Sequence, residues 1–354
     1  MLAALRLTRE SSPTSPDLRM VVTAQDAYGG WEGHLLATVV ILLCLSRCGL
    51  ATHSVQRGVA FVLAVVREVG GVPFIRNEDT WVTALAGSAL ADAGVSPGRL
   101  QRTARYMCRA QLADGGWGYA AGVTQADADD TAVAVKLLIC CSGVEAARAA
   151  KAGVGFMLEL QNSDGGFPTF VCGAPSEVEI TAKCLRALMA ASSDPTVVRA
   201  ARRAWSWLAS QQYADGGFPA EWSASPAFPV MHVCRAARSI GGLASASTVR
   251  HVTQGCAAFL ASTALSDGGW PIRAGDRSSH LLSTAYSVSA LAALPNPSMN
   301  LLNMGVNFLL AADGSAAVEP DSLGPRPFVY DVPALVPIYR LAAMAHAQSF
   351  GRRT

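Results

Sequence analysis

Three carboxylates fall within four residues at Asp127-Ala128-Asp129-Asp130, followed by Thr131 and the apolar run 132–141, in a chain where only 15% of residues are charged. A helix N-terminus welcomes one or two anions, because its free N–H groups and its dipole favour negative charge. Three anions crowded against an apolar helix repel one another, and protonation of one relieves the repulsion. Asp127 and Asp130 have the spacing of an N-cap and its capping-box partner, so both are expected to accept backbone N–H bonds and stay ionised. That leaves Asp129 as the acid. A carboxylic acid kept neutral near pH 7 is a proton donor of the strength that an unactivated alkene requires. The competing reading is a solvated acidic N-cap with no chemistry.

The elements that must hold this cluster are written as a repeat. Tyr106-Met107, Gln111 and Gly115-Gly116-Trp117 recur at the same spacing as Phe156-Met157, Gln161 and Gly165-Gly166-Phe167, and again as Trp207-Leu208, Gln212 and Gly216-Gly217-Phe218. Phe259-Leu260 with Gly268-Gly269-Trp270 keeps the pattern but loses the Gln to Ala264, and weaker copies surround Gly29-Gly30-Trp31, Gly70-Gly71 and Asp313-Gly314. The tips recur every 41 to 52 residues, the period of a helical hairpin. In each copy the aromatic–apolar pair lies on the buried face of an amphipathic helix. The Gln amide satisfies end-of-helix carbonyls, and Gly-Gly supplies the left-handed stop. A second helix, apolar nearly all round and therefore enclosed, follows each tip at about 34–48, 79–93, 128–142, 177–191, 229–242, 279–293 and 331–346. The pattern predicts an all-α chain: a single α/α barrel, a double ring of about six helical hairpins with the second helices inside, over 21–348. Residues 1–20 and 349–354 read as flexible tails.

Composition removes several classes. A net charge of +2 with Arg spread from end to end leaves no basic stripe for nucleic acid. Hydrophobic content is 51%, yet no apolar stretch approaches the length of a membrane span. The nine cysteines form no CxxC pair and sit mostly in apolar helical runs, which reads as reduced thiols and a cytoplasmic protein. There is no GxSxG, phosphate loop or dinucleotide fingerprint.

From about residue 25 to 346 the Gln…Gly-Gly-Trp repeat resembles the QW motif of the class II terpene cyclases and of the prenyltransferase β subunits. Asp127-Ala128-Asp129-Asp130-Thr131 is similar to the DxDDT motif of squalene-hopene cyclases and copalyl-type diterpene cyclases, in which the middle Asp protonates a terminal isoprene double bond. The resemblance implies that Asp129 is that acid, with Asp127 and Asp130 orienting it. The stretches 164–170, 176–182 and 221–228 resemble the bacterial diterpene branch. Family members usually carry a second helical domain with the pocket between the two, and only the acid-bearing one is read here. The pocket's mouth is therefore expected to be covered by the Pro-rich stretch 320–333, a partner protein, a second copy or a membrane surface. Glu78-Asp79 is a candidate for the family's diphosphate-binding acidic motif, set against the plainer reading of acids at a helix head.

Carbocations need aromatic faces in a dry cavity. The candidates at the heads of inner helices are Trp81, Phe228, Tyr286, Phe328 and Tyr330, with Trp222 on the loop before; plain core packing competes for each. His232 and His280 could hydrogen-bond an aspartate and tune it. No Asp-x-Cys set accompanies them, so no zinc is expected. A Mg²⁺ bridging the substrate's diphosphate is implied by the resemblance alone. The expected activity is protonation-initiated cyclisation of a linear prenyl diphosphate, farnesyl or geranylgeranyl, to a drimane- or labdane-type product, with a farnesyl-sized substrate preferred over squalene if the protein acts alone. The alternatives are a non-catalytic isoprenoid-binding subunit that completes a pocket with a partner, and a zinc prenyltransferase-type subunit.

Overall fold

A computed structural model describes residues 14–31, 35–64, 79–120, 122–312, 321 and 334–351. Among these, regular structure consists of fourteen α-helices, accompanied by two isolated backbone bridges. The chain divides into two compact units, 1–77 with 326–332, and 78–325 with 333–354. No described helix is long and apolar enough to cross a membrane.

The first unit contains α1 (Pro16–Thr23), α2 (Leu35–Cys48) and α3 (Thr52–Leu63). Residues 16–20, read from sequence as part of a tail, are the opening turns of α1. Ser15 caps it through Asp17 N, a proline occupies its start, and Leu18 is buried. Trp31 packs with Leu18, Val21, Ile41 and Leu45. Gln25, Gly29 and Trp31 build a repeat tip here, although the sequence copy is degenerate.

The second unit holds α4 (Asp79–Asp92), α5 (Gln101–Ala110), α6 (Ala128–Leu138), α7 (Val144–Leu160), α8 (Val178–Ala191), α9 (Pro195–Ser210), α10 (Ala227–Ile240), α11 (Ala246–Thr263), α12 (Leu281–Leu291), α13 (Met299–Ala311) and α14 (Leu335–Gly351). The even-numbered helices pack side by side, α4–α6–α8–α10–α12–α14, and α14 returns to α4, so six inner helices close a ring. The odd-numbered helices lie outside them. Every residue of α12 after Leu281 is buried, whereas α5 buries only Ala104 and Met107. The expected barrel began at 21; the closed ring begins at α4, and the apolar helix expected at 34–48 lies in the other unit as α2.

The repeat tips explain how each inner helix is aimed. Gln161 Nε2 donates to Gly165 O at 2.8 Å in its own tip and to Ala200 O at 2.8 Å on the next outer helix; Gln111 and Gln212 do the same. The amide therefore ties neighbouring hairpins together as well as closing its own turn. Gly216 stands for the glycines: its φ is +87°, and a Cβ there would lie 2.0 Å from Gly255 O. Trp117 and Trp270 donate their ring N–H back to Met107 O (2.8 Å) and Leu260 O (2.9 Å). Finally, Trp117 N, Phe167 N and Trp270 N each donate to a threonine on the following inner helix, Thr131, Thr181 and Thr284, at 2.8–3.0 Å.

Candidate active site

The Thr131 that closes the acidic motif is thus one of these repeated clamps, and what remains for chemistry is the three aspartates. Asp127 is the N-cap of α6, accepting Asp130 N at 2.8 Å, while its own N–H reaches Trp117 O at 2.9 Å. Ala128 N donates to Thr169 O at 2.8 Å. These bonds fix the head of α6 between two repeat tips, and all three aspartates are buried.

The charge distribution differs from the sequence expectation. Burial pushes Asp127 up to about 7, helped by the charge of Asp129 and opposed by its bonds to Asp130. The capping residue, expected to stay ionised, is therefore drawn toward its protonated form. Asp129 is instead the anion of a buried ion pair: Lys183 Nζ, on α8, lies 2.7 and 2.8 Å from its two carboxylate oxygens. Lys183 was not among the residues singled out from sequence, and it is 6% exposed.

Aromatic faces surround that pair. Lys183 Nζ lies 5.3 Å from the centre of the Phe228 ring and 5.9 Å from that of Trp81. Phe228 meets Tyr286 edge-on at 4.9 Å and His232 at 4.6 Å, and Tyr286 meets Tyr339 at 4.8 Å. Trp81, Lys183, His232 and Tyr339 line a cavity of about 60 Å³. Among the described residues, Trp81 Nε1, Tyr339 OH and both His232 ring nitrogens have no hydrogen-bond partner. His232 does not bond an aspartate. Burial, reinforced by the charges of Lys183, Arg186 and Arg235, holds it neutral well below the usual imidazole range.

The remaining candidates fall elsewhere. Trp222 is half-buried, its ring N–H donated to Glu177 and its backbone N–H facing Glu179 Oε1 at 3.4 Å. Tyr286 OH donates to Asp321 at 3.0 Å, and Asp321 also accepts from Ser223 (2.6 Å) and Ala224 N (2.8 Å). His280 occupies the N-cap position of α12. Asp79 opens α4, while Glu78, Phe328 and Tyr330 lie outside the described residues. At the head of α8, Glu179 is fully buried and pushed up to about 7 by burial, reinforced by the charge of Glu221.

No family model matches the chain. The drimenyl diphosphate synthase of Streptantibioticus cattleyicolor is 35% identical to it over 339 residues, 90% of this chain and 62% of that protein. The enzyme of the same name from Streptomyces showdoensis is 33% identical, over 94% of this chain and 62% of its own length. The chain is thus similar to two drimenyl diphosphate synthases over at least nine-tenths of its own length. The ent-copalyl diphosphate synthase from Streptomyces platensis shares the fold of this chain, with a TM-score of 0.70 at 22% identity over 98% of this chain and 67% of that one. The chain spans 62% of the length of either drimenyl diphosphate synthase.

Two residues of the site escaped the sequence reading. Lys183 is the one cation in the stretch of α8 that is buried from Val178 to Leu185, and that isolation was the available signal. Tyr339 sits in an inner helix expected from sequence but carries no motif.

Proposed function

We propose that this chain is the acid-bearing barrel of a class II terpene cyclase that converts a linear prenyl diphosphate, farnesyl in preference to geranylgeranyl, into a drimane- or labdane-type cyclic diphosphate. The observation that carries the reading is a buried carboxylate, Asp129, paired with Lys183, which lines a cavity with Trp81, His232 and Tyr339. The names of the two relatives, drimenyl diphosphate synthases, support the substrate class.

For Asp129 to act as acid, the proton must sit on its carboxyl group rather than on Lys183. An apolar substrate that expels water from the cavity shifts the pair that way, because two neutral groups cost less than two charges in a medium of low dielectric. Asp129 then gives its proton to the terminal alkene carbon. The tertiary cation is taken up by the next double bond as each ring closes, and the last cation loses a proton, so the product is an isomer of the substrate. Phe228, Trp81, Tyr286 and Tyr339 offer faces that stabilise positive charge without adding to it. Asp127 keeps the head of α6 in place.

Among the described residues, no group of three or more His, Cys, Asp or Glu side chains is placed to hold a metal ion. The described residues offer no such set, and in this reading a Mg²⁺ would be bound together with the substrate's diphosphate. Elemental analysis finding stoichiometric zinc, lost together with activity, would move the chain to the prenyltransferase class.

The test is incubation of the purified chain with farnesyl diphosphate, geranylgeranyl diphosphate and squalene, followed by product analysis. Cyclic products that retain the diphosphate support the reading, and efficient turnover of squalene without lipid or partner overturns the substrate assignment. One alternative is that another polypeptide completes the pocket. Inactivity alone with activity restored by a helical partner would select it.

A further inference from the structure

The inner ring has a second charged end. Lys136 on α6, Arg186 on α8 and Arg235 on α10 each stand eight residues after the first residue of their helix (128 to 136, 178 to 186, 227 to 235), so three neighbouring inner helices present a cation at one level. Together with Arg238 they line a chamber of about 330 Å³. Its one carboxylate is Asp92, whose Oδ2 is already engaged by Arg235 at 3.1 Å and by His346 Nε2 at 3.0 Å. Burial opposes the Asp92 charge, but the His346 bond and Arg235 hold it well below the usual carboxylate range. His346 is itself held down to about 4, mainly by burial, and stays neutral. The chamber therefore carries four cations against one anion.

Helix C-termini attract basic side chains, which accounts for Lys136 and Arg238 in the last turns of their helices. It does not account for Arg186 and Arg235, five residues before the ends of α8 and α10. Burial, together with the charge of Arg235, lowers Arg186 to about 9. Among the described residues Arg186 has no hydrogen-bond or ion-pair partner. Arg186 is half-buried, and the charge that offsets it, Asp92, is already engaged by Arg235 and His346, so an anion from outside the chain would stabilise it. The planar fork of Arg suits phosphate oxygens.

The chamber shares Asp92, Lys136, Arg186 and Arg235 with the small aromatic cavity beside Asp129. Lys136 and Asp129 are seven residues apart on α6, about 10 Å along the axis. We propose that this basic chamber binds a diphosphate group directly through Arg186, Lys136 and Arg235, without a protein-held metal, and that the group is the head of the substrate whose terminal alkene faces Asp129. The assignment rests on the cyclase reading above for the identity of the substrate, and on the chamber alone for the diphosphate.

The experiment is titration calorimetry of the full chain with inorganic diphosphate, farnesyl diphosphate and farnesol in the presence of EDTA, on wild type and on Arg186→Gln and Lys136→Gln, with circular dichroism to show that the variants fold. The expected result is that both diphosphates bind wild type, that inorganic diphosphate competes with farnesyl diphosphate, and that each substitution weakens both at least tenfold while leaving farnesol unchanged. Equal affinities in folded variants would overturn the chamber as the site. Inorganic diphosphate bound alongside farnesyl diphosphate would overturn the substrate-head assignment and leave a separate anion site. Diphosphate binding that depends on Arg186, in a chain that cyclises no prenyl diphosphate, would instead overturn the cyclase reading.

Discussion

The two ends of the inner ring are made from the same helices and carry opposite charge. At the heads of α6 and α8 lie Asp127, Asp129, Asp130, Glu177 and Glu179 with Lys183 as the buried cation among them; toward the other end lie Lys136, Arg186, Arg235 and Arg238 with Asp92 as the single carboxylate. Helix dipoles favour this polarity, acids at N-termini and bases at C-termini. Dipoles alone do not explain why the aspartates, Glu179 and Lys183 are buried and Lys136, Arg186 and Arg235 half-buried, because withdrawing charge from water is costly unless it is compensated. At the head end the compensation comes from within: Asp129 has Lys183, and Asp127 and Glu179 are pushed toward their neutral forms. At the basic end Arg186 has no such partner. The difference separates an end that is complete as it stands from one that awaits a ligand, and a molecule with an anionic head and an apolar tail is oriented by that field.

The largest break in this comparison comes from Asp129→Asn. Removing the acid should lower cyclisation by about 10²- to 10⁴-fold, read by product formation from farnesyl diphosphate; activity within a few-fold of wild type would show that the proton comes from elsewhere. Lys183→Met tests whether the head end is compensated internally. Leaving Asp129 buried and alone should destabilise the fold by about 3–5 kcal/mol in urea denaturation. The double variant with Asp129→Asn should recover most of that loss, and a purely additive outcome would mean that the two side chains do not depend on each other. Asp127→Ala removes only the cap of α6, and should cost about 0.5–2 kcal/mol; an unchanged midpoint would remove Asp127 from that role.

The smallest effect, and the most specific to the two ends, is in pH dependence. Glu179 is raised in the folded state, so its contribution is complete below its ordinary value of 4.5 and is lost as pH rises through about 7. His346 is lowered in the folded state, so its contribution is complete above 6.5 and is lost as pH falls through about 4. Thermal melts from pH 4 to 8 should show Glu179→Gln flattening the decline on the alkaline side and His346→Gln flattening the decline on the acid side. Both variants acting on the same side would contradict the assignment of one titration to each end.

Much of this was legible before the fold was known. The spacing of Gln, Gly-Gly and the aromatic ring foretold the hairpins, because a left-handed stop and a docked ring need those residue types at those positions; the all-round apolar helices foretold the inner ring. The place of Asp127 as a cap followed from its spacing to Asp130. Its proton did not, since burial rather than capping decides its charge. Lys183 is 54 residues from Asp129 in sequence, and only the packing of α6 against α8 brings them together. The basic chamber was hidden because its four cations are spread over three helices, α6, α8 and α10, and look like scattered Arg and Lys until the repeat register is laid over the ring.

The central claim is that the reaction begins with a proton from Asp129 and keeps the diphosphate. Turnover of farnesyl diphosphate by the wild-type chain in D₂O, followed by mass analysis of the product, tests it most directly. The account predicts a cyclic diphosphate carrying one deuterium on the carbon that was the terminal alkene position, absent when Asp129→Asn replaces the wild type. A cyclic product without solvent deuterium, or one formed with release of inorganic diphosphate, would contradict it.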